Sequence, residues 1–151
     1  MGPAGPRTVS VAEFLSGPFT TALEPDEILT EIRLPVWPGG HAFTEFSRIH
    51  ANFAVVAVAA LVDLDGDRIR GAALALAGVA PTPVRATSAE RALADAPAAD
   101  AGMIRAAAAA AAADLSPAGD LHASAETRRG LARTYLRRGI ELAVSRARNE
   151  R

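Results

Sequence analysis

The stretch Gly71–Ala86, GAALALAGVAPTPVRA, decides the fold. Small residues alternate with leucines through Ala72–Leu76, the period of a half-buried strand. Gly78 and the Pro81-Thr82-Pro83 turn then stop that strand abruptly. Working backwards, Asp65-Gly66 is the strongest hairpin signal in the chain, so Phe53–Leu64 and Arg68–Val79 read as antiparallel strands. His41–Arg48 reads as a strand before them. Working forwards, everything after Pro83 is expected to be helical. Thr87 or Ser88 caps a helix through Asp95. Asp100 caps a second through Asp114, carried by the good helix formers Ala106–Ala113. Ser116-Pro117 breaks it, and Ser124 or Ala125 opens the last helix, through about Arg146. There Leu131, Tyr135 and Leu142, with Leu136, Ile140 and Ala143, recur at helical spacing. The order is α+β: three antiparallel strands, then three helices packed on one face.

The N-terminal part is less regular. Residues 1–6 are expected to be disordered, and Val9–Leu15 alternates weakly before Ser16-Gly17-Pro18 turns the chain. Glu24-Pro25-Asp26-Glu27 reads as a helix start or tight turn. Ile28–Leu34 alternates as a strand, with Ile28, Thr30, Ile32 and Leu34 on one face and Leu29, Glu31 and Arg33 on the other. Pro35 ends it, and Trp37-Pro38-Gly39-Gly40 is a loop.

At 151 residues the chain is long enough to bury a core. Half of it is hydrophobic, nearly half of that alanine, with 5% aromatics, which predicts a helix-rich core of closely packed backbones. A net charge of −1 gives the molecule no electrostatic reason to seek nucleic acid or anionic lipid. All sixteen basic residues are arginine, a mark of a GC-rich genome rather than of a function. The absence of cysteine removes disulfides, thiolate catalysis and iron–sulfur ligation. Met1–Pro6 lacks the blocks of a signal peptide, and Pro6 stands where a myristoylation signal has Ser or Thr. The longest apolar run, Phe53–Val62, falls short of the roughly 20 residues a membrane span needs. A soluble, cytoplasmic protein is expected.

Motifs that carry chemistry are scarce. Asp63-Leu64-Asp65-Gly66-Asp67 looks like the start of a calcium loop. Arg68 and Leu74, however, stand where that loop needs Gly and Glu, so the hairpin reading prevails. His41, His50 and His122 sit in unrelated segments without metal-ligand spacing, and His50 is expected at the surface of a strand connection. No nucleophile elbow is present. Arg128, Arg129, Arg133, Arg137 and Arg138 line parts of the last helix. They alternate with core positions and share the helix with Glu126 and Glu141, so a solvated or interface face is expected rather than a phosphate grip. Gly39-Gly40-His41 lacks the strand–loop–helix context of a phosphate loop.

Three separated stretches, TTALEPDEILTEIRLP (Thr20–Pro35), Gly71–Ala86 and SAETRRGLA (Ser124–Ala132), resemble the flavoprotein (medium) subunit of molybdenum hydroxylases, the carbon monoxide dehydrogenase and xanthine dehydrogenase group. The resemblance runs from about Arg7 to Ala143. It implies a tail of the FAD-binding domain over 7–38, a flavoprotein C-terminal domain over 39–147 and a tail over 148–151. It also implies an antiparallel three- to four-stranded sheet followed by three helices on one face. FAD is the implied cofactor of the complete subunit, taking electrons from iron–sulfur clusters and passing them to an acceptor. The implied partners are the FAD-binding domain, the iron–sulfur subunit and the molybdopterin subunit, with self-association as a further expectation.

The family's two glycine-rich pyrophosphate loops are absent, so only ring-side residues carry over: Leu29, just after Pro25-Asp26-Glu27-Ile28, and Thr44 or Glu45, where relatives often have a basic residue. Arg48–Ala54 departs from the family as well. Relatives often carry a second Arg at position 49 and Gly-Asp at 51–52, which here are Ala51-Asn52. The Arg128-Arg129 pair matches the family's S-A-x-x-R-R pattern, implying a structural or subunit-contact role. A flavin-free interaction or assembly module derived from this domain is the alternative reading.

Overall fold

A computed structural model describes residues 1–49, 52–98 and 100–149. The chain divides into two compact units, Met1–Val36 and Trp37–Arg151.

In the first unit, α1 (Val11–Phe14) is followed by β1 (Leu15–Gly17) and β2 (Thr20–Thr21), which pair antiparallel. The weak alternation of Val9–Leu15 gives way to a helical turn because its start is capped. Ser10 Oγ accepts from the Glu13 N–H (3.3 Å) and donates to Glu13 Oε2 (2.7 Å). Glu24–Glu27 is a tight turn, with the Glu27 N–H donating to the Glu24 carbonyl at 3.0 Å. Residues 1–6, where disorder is expected, hold a turn in which the Gly5 N–H donates to the Gly2 carbonyl (2.9 Å), while the Met1 ammonium donates to the Ile28 carbonyl (2.6 Å). The expected strand Ile28–Leu34 does not form. It has the alternation of a strand but, among the described residues, no neighbour to complete a ladder, and it leaves Ile28, Ile32, Leu34 and Val36 exposed.

The second unit holds a four-stranded antiparallel sheet in the order β3 (Gly40–Phe46), β4 (Val56–Asp65), β5 (Arg68–Ala77), β6 (Val84–Arg85). The β4–β5 hairpin forms as expected, and its central residues are Gly66 and Asp67. Gly66 takes φ +56° and Asp67 stays at negative φ, the pattern of a type II′ turn. β6 corrects the expectation that only helix follows Pro83. Gly78, at φ +79°, and the two prolines fold the chain back so that Val84 and Arg85 pair with Leu76 and Ala75. A Cβ on Gly78 would stand 2.3 Å from the Val55 carbonyl oxygen, so the turn has room only for glycine.

Helices α2 (Thr87–Leu93), α3 (Ala101–Ala113) and α4 (Ala125–Asn149) follow and cover one face of the sheet. Asp100 caps α3 as expected, its Oδ1 accepting from the N–H groups of Gly102 (2.8 Å) and Met103 (3.0 Å). Neither Thr87 nor Ser88 caps α2. Ala86 holds the cap position without a side-chain bond, and the helix ends at Leu93 rather than Asp95. Asp95 leaves the helix at φ +59° and donates its N–H to the Ile69 carbonyl (2.9 Å).

The core forms from one row of each strand. Val56, Val58, Ala60 and Val62 of β4 and Leu74 and Leu76 of β5 meet Ala132, Leu136, Ile140 and Ala143 of α4. Of the two helical rows in α4, that of Leu136, Ile140 and Ala143 is the buried one. Leu131 and Tyr135 are half-buried, and Leu142 reaches solvent.

Candidate functional site

Gly39 precedes β3 and Gly40 opens it, in the segment that most nearly imitates a phosphate loop. A Cβ on Gly39 would stand 2.1 Å from the Val62 carbonyl oxygen, and one on Gly40 2.1 Å from the Ala143 carbonyl oxygen. Both glycines therefore serve close backbone approach, Gly39 to β4 and Gly40 to α4. A peptide N–H in such a packed position cannot turn to cradle a pyrophosphate.

Two of the three ring-side residues lie next to each other on β3, and adjacent strand residues face opposite sides of a sheet. Thr44 faces the helices. Its hydroxyl donates to the Tyr135 carbonyl (3.1 Å), and its Oγ1 lies against Gly139. Glu45 is exposed on the outer face. Leu29 belongs to the first unit, where its side chain is 47% exposed. Among these residues, Thr44 is already bound to its own helix, and Leu29 and Glu45 are free to meet a ligand or partner. Gly39-Gly40, the segment most like a phosphate loop, is taken up by packing.

Arg128 departs from the solvated or interface face expected of its row, being 7% exposed, and takes the structural role that the S-A-x-x-R-R resemblance implies. Its Nη1 donates to the carbonyls of Val55 (2.7 Å) and Gly78 (2.8 Å), and its Nη2 to Asp120 Oδ2 (2.5 Å). It thereby ties the open end of the β4–β5 hairpin to the start of α4. Asp120 also accepts from the N–H groups of His122 (2.8 Å) and Ala123 (3.0 Å). The Arg128 guanidinium first, and these backbone donors second, hold its carboxyl far below the usual carboxylate range. The signal lay in phase: 128 is in register with the buried positions 132, 136, 139, 143 and 147.

The other arginines of α4 do face outward. Arg129 Nε donates to the Leu115 carbonyl (3.2 Å), Arg137 pairs with Glu141 (2.9 Å), and Arg138 lies over the Tyr135 ring, 5.3 Å from its centroid. His41 and His122 are exposed, and His50 lies outside the described residues. Among the described residues, no three His, Asp or Glu side chains gather as a metal site. In the calcium-like run, Asp63 is bound by Arg70 (2.6 Å) across the hairpin. An open pocket of about 380 Å³ between the start of α3 and the end of α4 is lined by Ile104, Glu141, Ser145 and Arg148 among others, and includes neither Thr44 nor Glu45.

Residues 41–143, from the second residue of β3 into the last third of α4, match the family described as the CO dehydrogenase flavoprotein C-terminal domain. The chain belongs to this family. The carbon monoxide dehydrogenase medium chain of Afipia carboxidovorans is 37% identical over 98% of the chain and 52% of its own length. The xanthine dehydrogenase FAD-binding subunit of Escherichia coli O157:H7 is 31% identical over 96% of the chain and 51% of its own. Carbon monoxide dehydrogenase from Hydrogenophaga pseudoflava superposes with a TM-score of 0.90 at 33% identity, over 97% of this chain and 51% of that one. The chain thus spans about half the length of the curated relatives it matches. The strand-then-helix order expected of this flavoprotein C-terminal domain is the one the structure has. Among the described residues no helix is long and apolar enough to cross a membrane.

Proposed function

We propose that this flavoprotein C-terminal domain serves the FAD-binding subunit of a molybdenum-containing hydroxylase, alongside a flavin-binding half and the iron–sulfur and molybdopterin subunits. In that assembly FAD would take electrons from iron–sulfur clusters and pass them to an acceptor. The observation that supports the reading most is the continuity of the match: medium chains align with both units of this chain, through Leu29 and through β3. Leu29 would line the ring side of the flavin as an apolar wall, and Glu45 would meet the neighbouring domain from the outer face. Thr44 would act indirectly, fixing β3 on α4 through its bond to Tyr135. The phosphates would be held by the flavin-binding half.

Gel filtration with flavin absorbance tests this. The chain, the N-terminal half of the Afipia medium chain, and their mixture are each loaded with FAD. The expected result is a colourless chain alone and a yellow complex from the mixture. Stoichiometric flavin on the chain alone would overturn the division of labour. Failure of the two to co-elute would overturn the subunit reading. A second reading, a flavin-free assembly module, draws on the packing role of Gly39 and Gly40. It predicts co-elution with no gain in flavin bound over the half alone.

A further inference from the structure

The two edges of the sheet are treated differently. The β6 edge is two residues long, which blunts it. The β3 edge is seven residues long, has unbroken register against β4, and contains neither proline nor lysine. Two contacts establish which backbone groups it exposes. The Phe46 carbonyl accepts from the Val55 N–H (2.7 Å), on the β4 side. The His41 carbonyl accepts from Arg146 Nη1 (2.8 Å), a side chain of α4. In an antiparallel strand the N–H and C=O of one residue point the same way, and the direction alternates along the chain. The even-numbered residues therefore bond β4, and His41, Phe43 and Glu45 turn their backbone groups outward. Arg146 covers only the carbonyl of His41. For Phe43 and Glu45, β4 is the only strand partner on either side among the described residues.

The surroundings of this edge are one-sided in charge. On the helix side, Arg138 lies over Tyr135, whose ring meets Phe46 at 6.1 Å between centroids, and Arg146 reaches the other end of the strand. Arg48 stands just beyond the end of β3, donating only to the Leu121 carbonyl (3.5 Å). Among the described residues none of Arg48, Arg138 and Arg146 is paired with a carboxylate. On the outer face Phe43 is 63% exposed, with Glu45 two residues on.

We propose that β3 is a docking edge for an extended acidic segment of a partner protein. The segment adds as a further strand, with carboxylates on its helix-side row against Arg138, Arg146 and Arg48 and apolar side chains on its outer row beside Phe43. The ladder bonds supply affinity, and the two rows supply selectivity. The inference rests on the sheet edge alone and stands whether or not flavin is bound.

The test titrates a short peptide of alternating glutamate and valine into the isotope-labelled chain, followed by amide shifts and hydrogen exchange. A lysine–valine peptide and a peptide of the same composition in glutamate and valine blocks serve as controls. The expected result is protection of the Phe43 and Glu45 amides by the alternating acidic peptide alone. In the Arg48→Glu/Arg138→Glu variant, whose substitutions are on the surface, affinity should fall on the order of tenfold. No binding, shifts centred away from β3, or equal affinity for the lysine peptide would each overturn the proposal. So would protection of the β3 amides without peptide that rises with protein concentration, because the occupant would then be a second copy of the chain.

Discussion

Replacing Arg128 by methionine keeps an unbranched side chain of similar reach and deletes every donor, so its cost reports the guanidinium's bonds rather than a large cavity. Three acceptors lose their partner. The Val55 residue is 5% exposed, and leaving its carbonyl unsatisfied costs about 1–3 kcal/mol. Gly78 is exposed, so its carbonyl regains water and the net loss there is about 0.5–1.5 kcal/mol. Asp120 is also reached by solvent, which takes the place of the lost guanidinium.

The expected loss is about 2–4 kcal/mol for the second unit. For a domain of this size that lowers Tm by roughly 5–15 °C. Urea denaturation followed by circular dichroism should show a shifted midpoint with an unchanged slope. Arg129→Met is the comparator, because Arg129 is exposed and holds a single carbonyl at 3.2 Å. It should stay within about 1 kcal/mol of the parent. If Arg128→Met were also within about 0.5 kcal/mol of the parent, Arg128 would not clamp the hairpin to α4, and the account of this end of the sheet would fail.

Gly40→Ala would push a Cβ to 2.1 Å from the Ala143 carbonyl oxygen and 2.3 Å from the Ala147 nitrogen, so α4 must move. A loss of about 1–3 kcal/mol in thermal unfolding is expected, against none for Gly71→Ala, where nothing lies within 4 Å. In the first unit, Arg7 bonds both carboxylate oxygens of Glu27 at 2.7 Å and, with the Glu24 N–H, holds the Glu27 carboxyl down to about 2. A depressed folded value means that its contribution is present above the unfolded carboxyl value and fades as pH falls toward 2. NMR titration of Glu27 should show this, and Arg7→Gln should return its midpoint toward the ordinary range.

The parts of the fold that were legible in the sequence are those set by local chemistry. The hairpin at Gly66, the Asp100 cap and the phase of α4 each depend on residues within a few positions of one another. Ile28–Leu34 misled because alternation reports a half-buried period, whereas a strand also needs a neighbour to pair with. β6 was missed because two residues carry no period at all. The site was legible in part. The alternation of β3 already requires Thr44 and Glu45 to face opposite ways, but which of them meets the helices depends on α4, more than ninety residues on. Gly39-Gly40 reads as a linker in sequence and becomes a packing device only when Val62 and Ala143 come close.

Three polar side chains that reach the interior are bound to the fold itself. Arg128 holds two carbonyls, and Thr44 holds the Tyr135 carbonyl. Glu90 accepts from the Leu74 N–H (2.7 Å) and from Arg85 Nε (2.8 Å). A group fixed in this way cannot exchange protons or turn to a ligand without breaking a contact that supports the sheet. Changes at these positions should therefore appear first as lost stability, with any functional defect following in proportion to the unfolded fraction. Changes at Leu29, Phe43, Glu45, Arg48 and Arg138 touch side chains turned to solvent. Their effects should leave the unfolding midpoint in place and change what the domain binds. The two classes can be separated by measuring stability and association on the same variants, and a surface variant of β3 that unfolds early would place that strand in the first class.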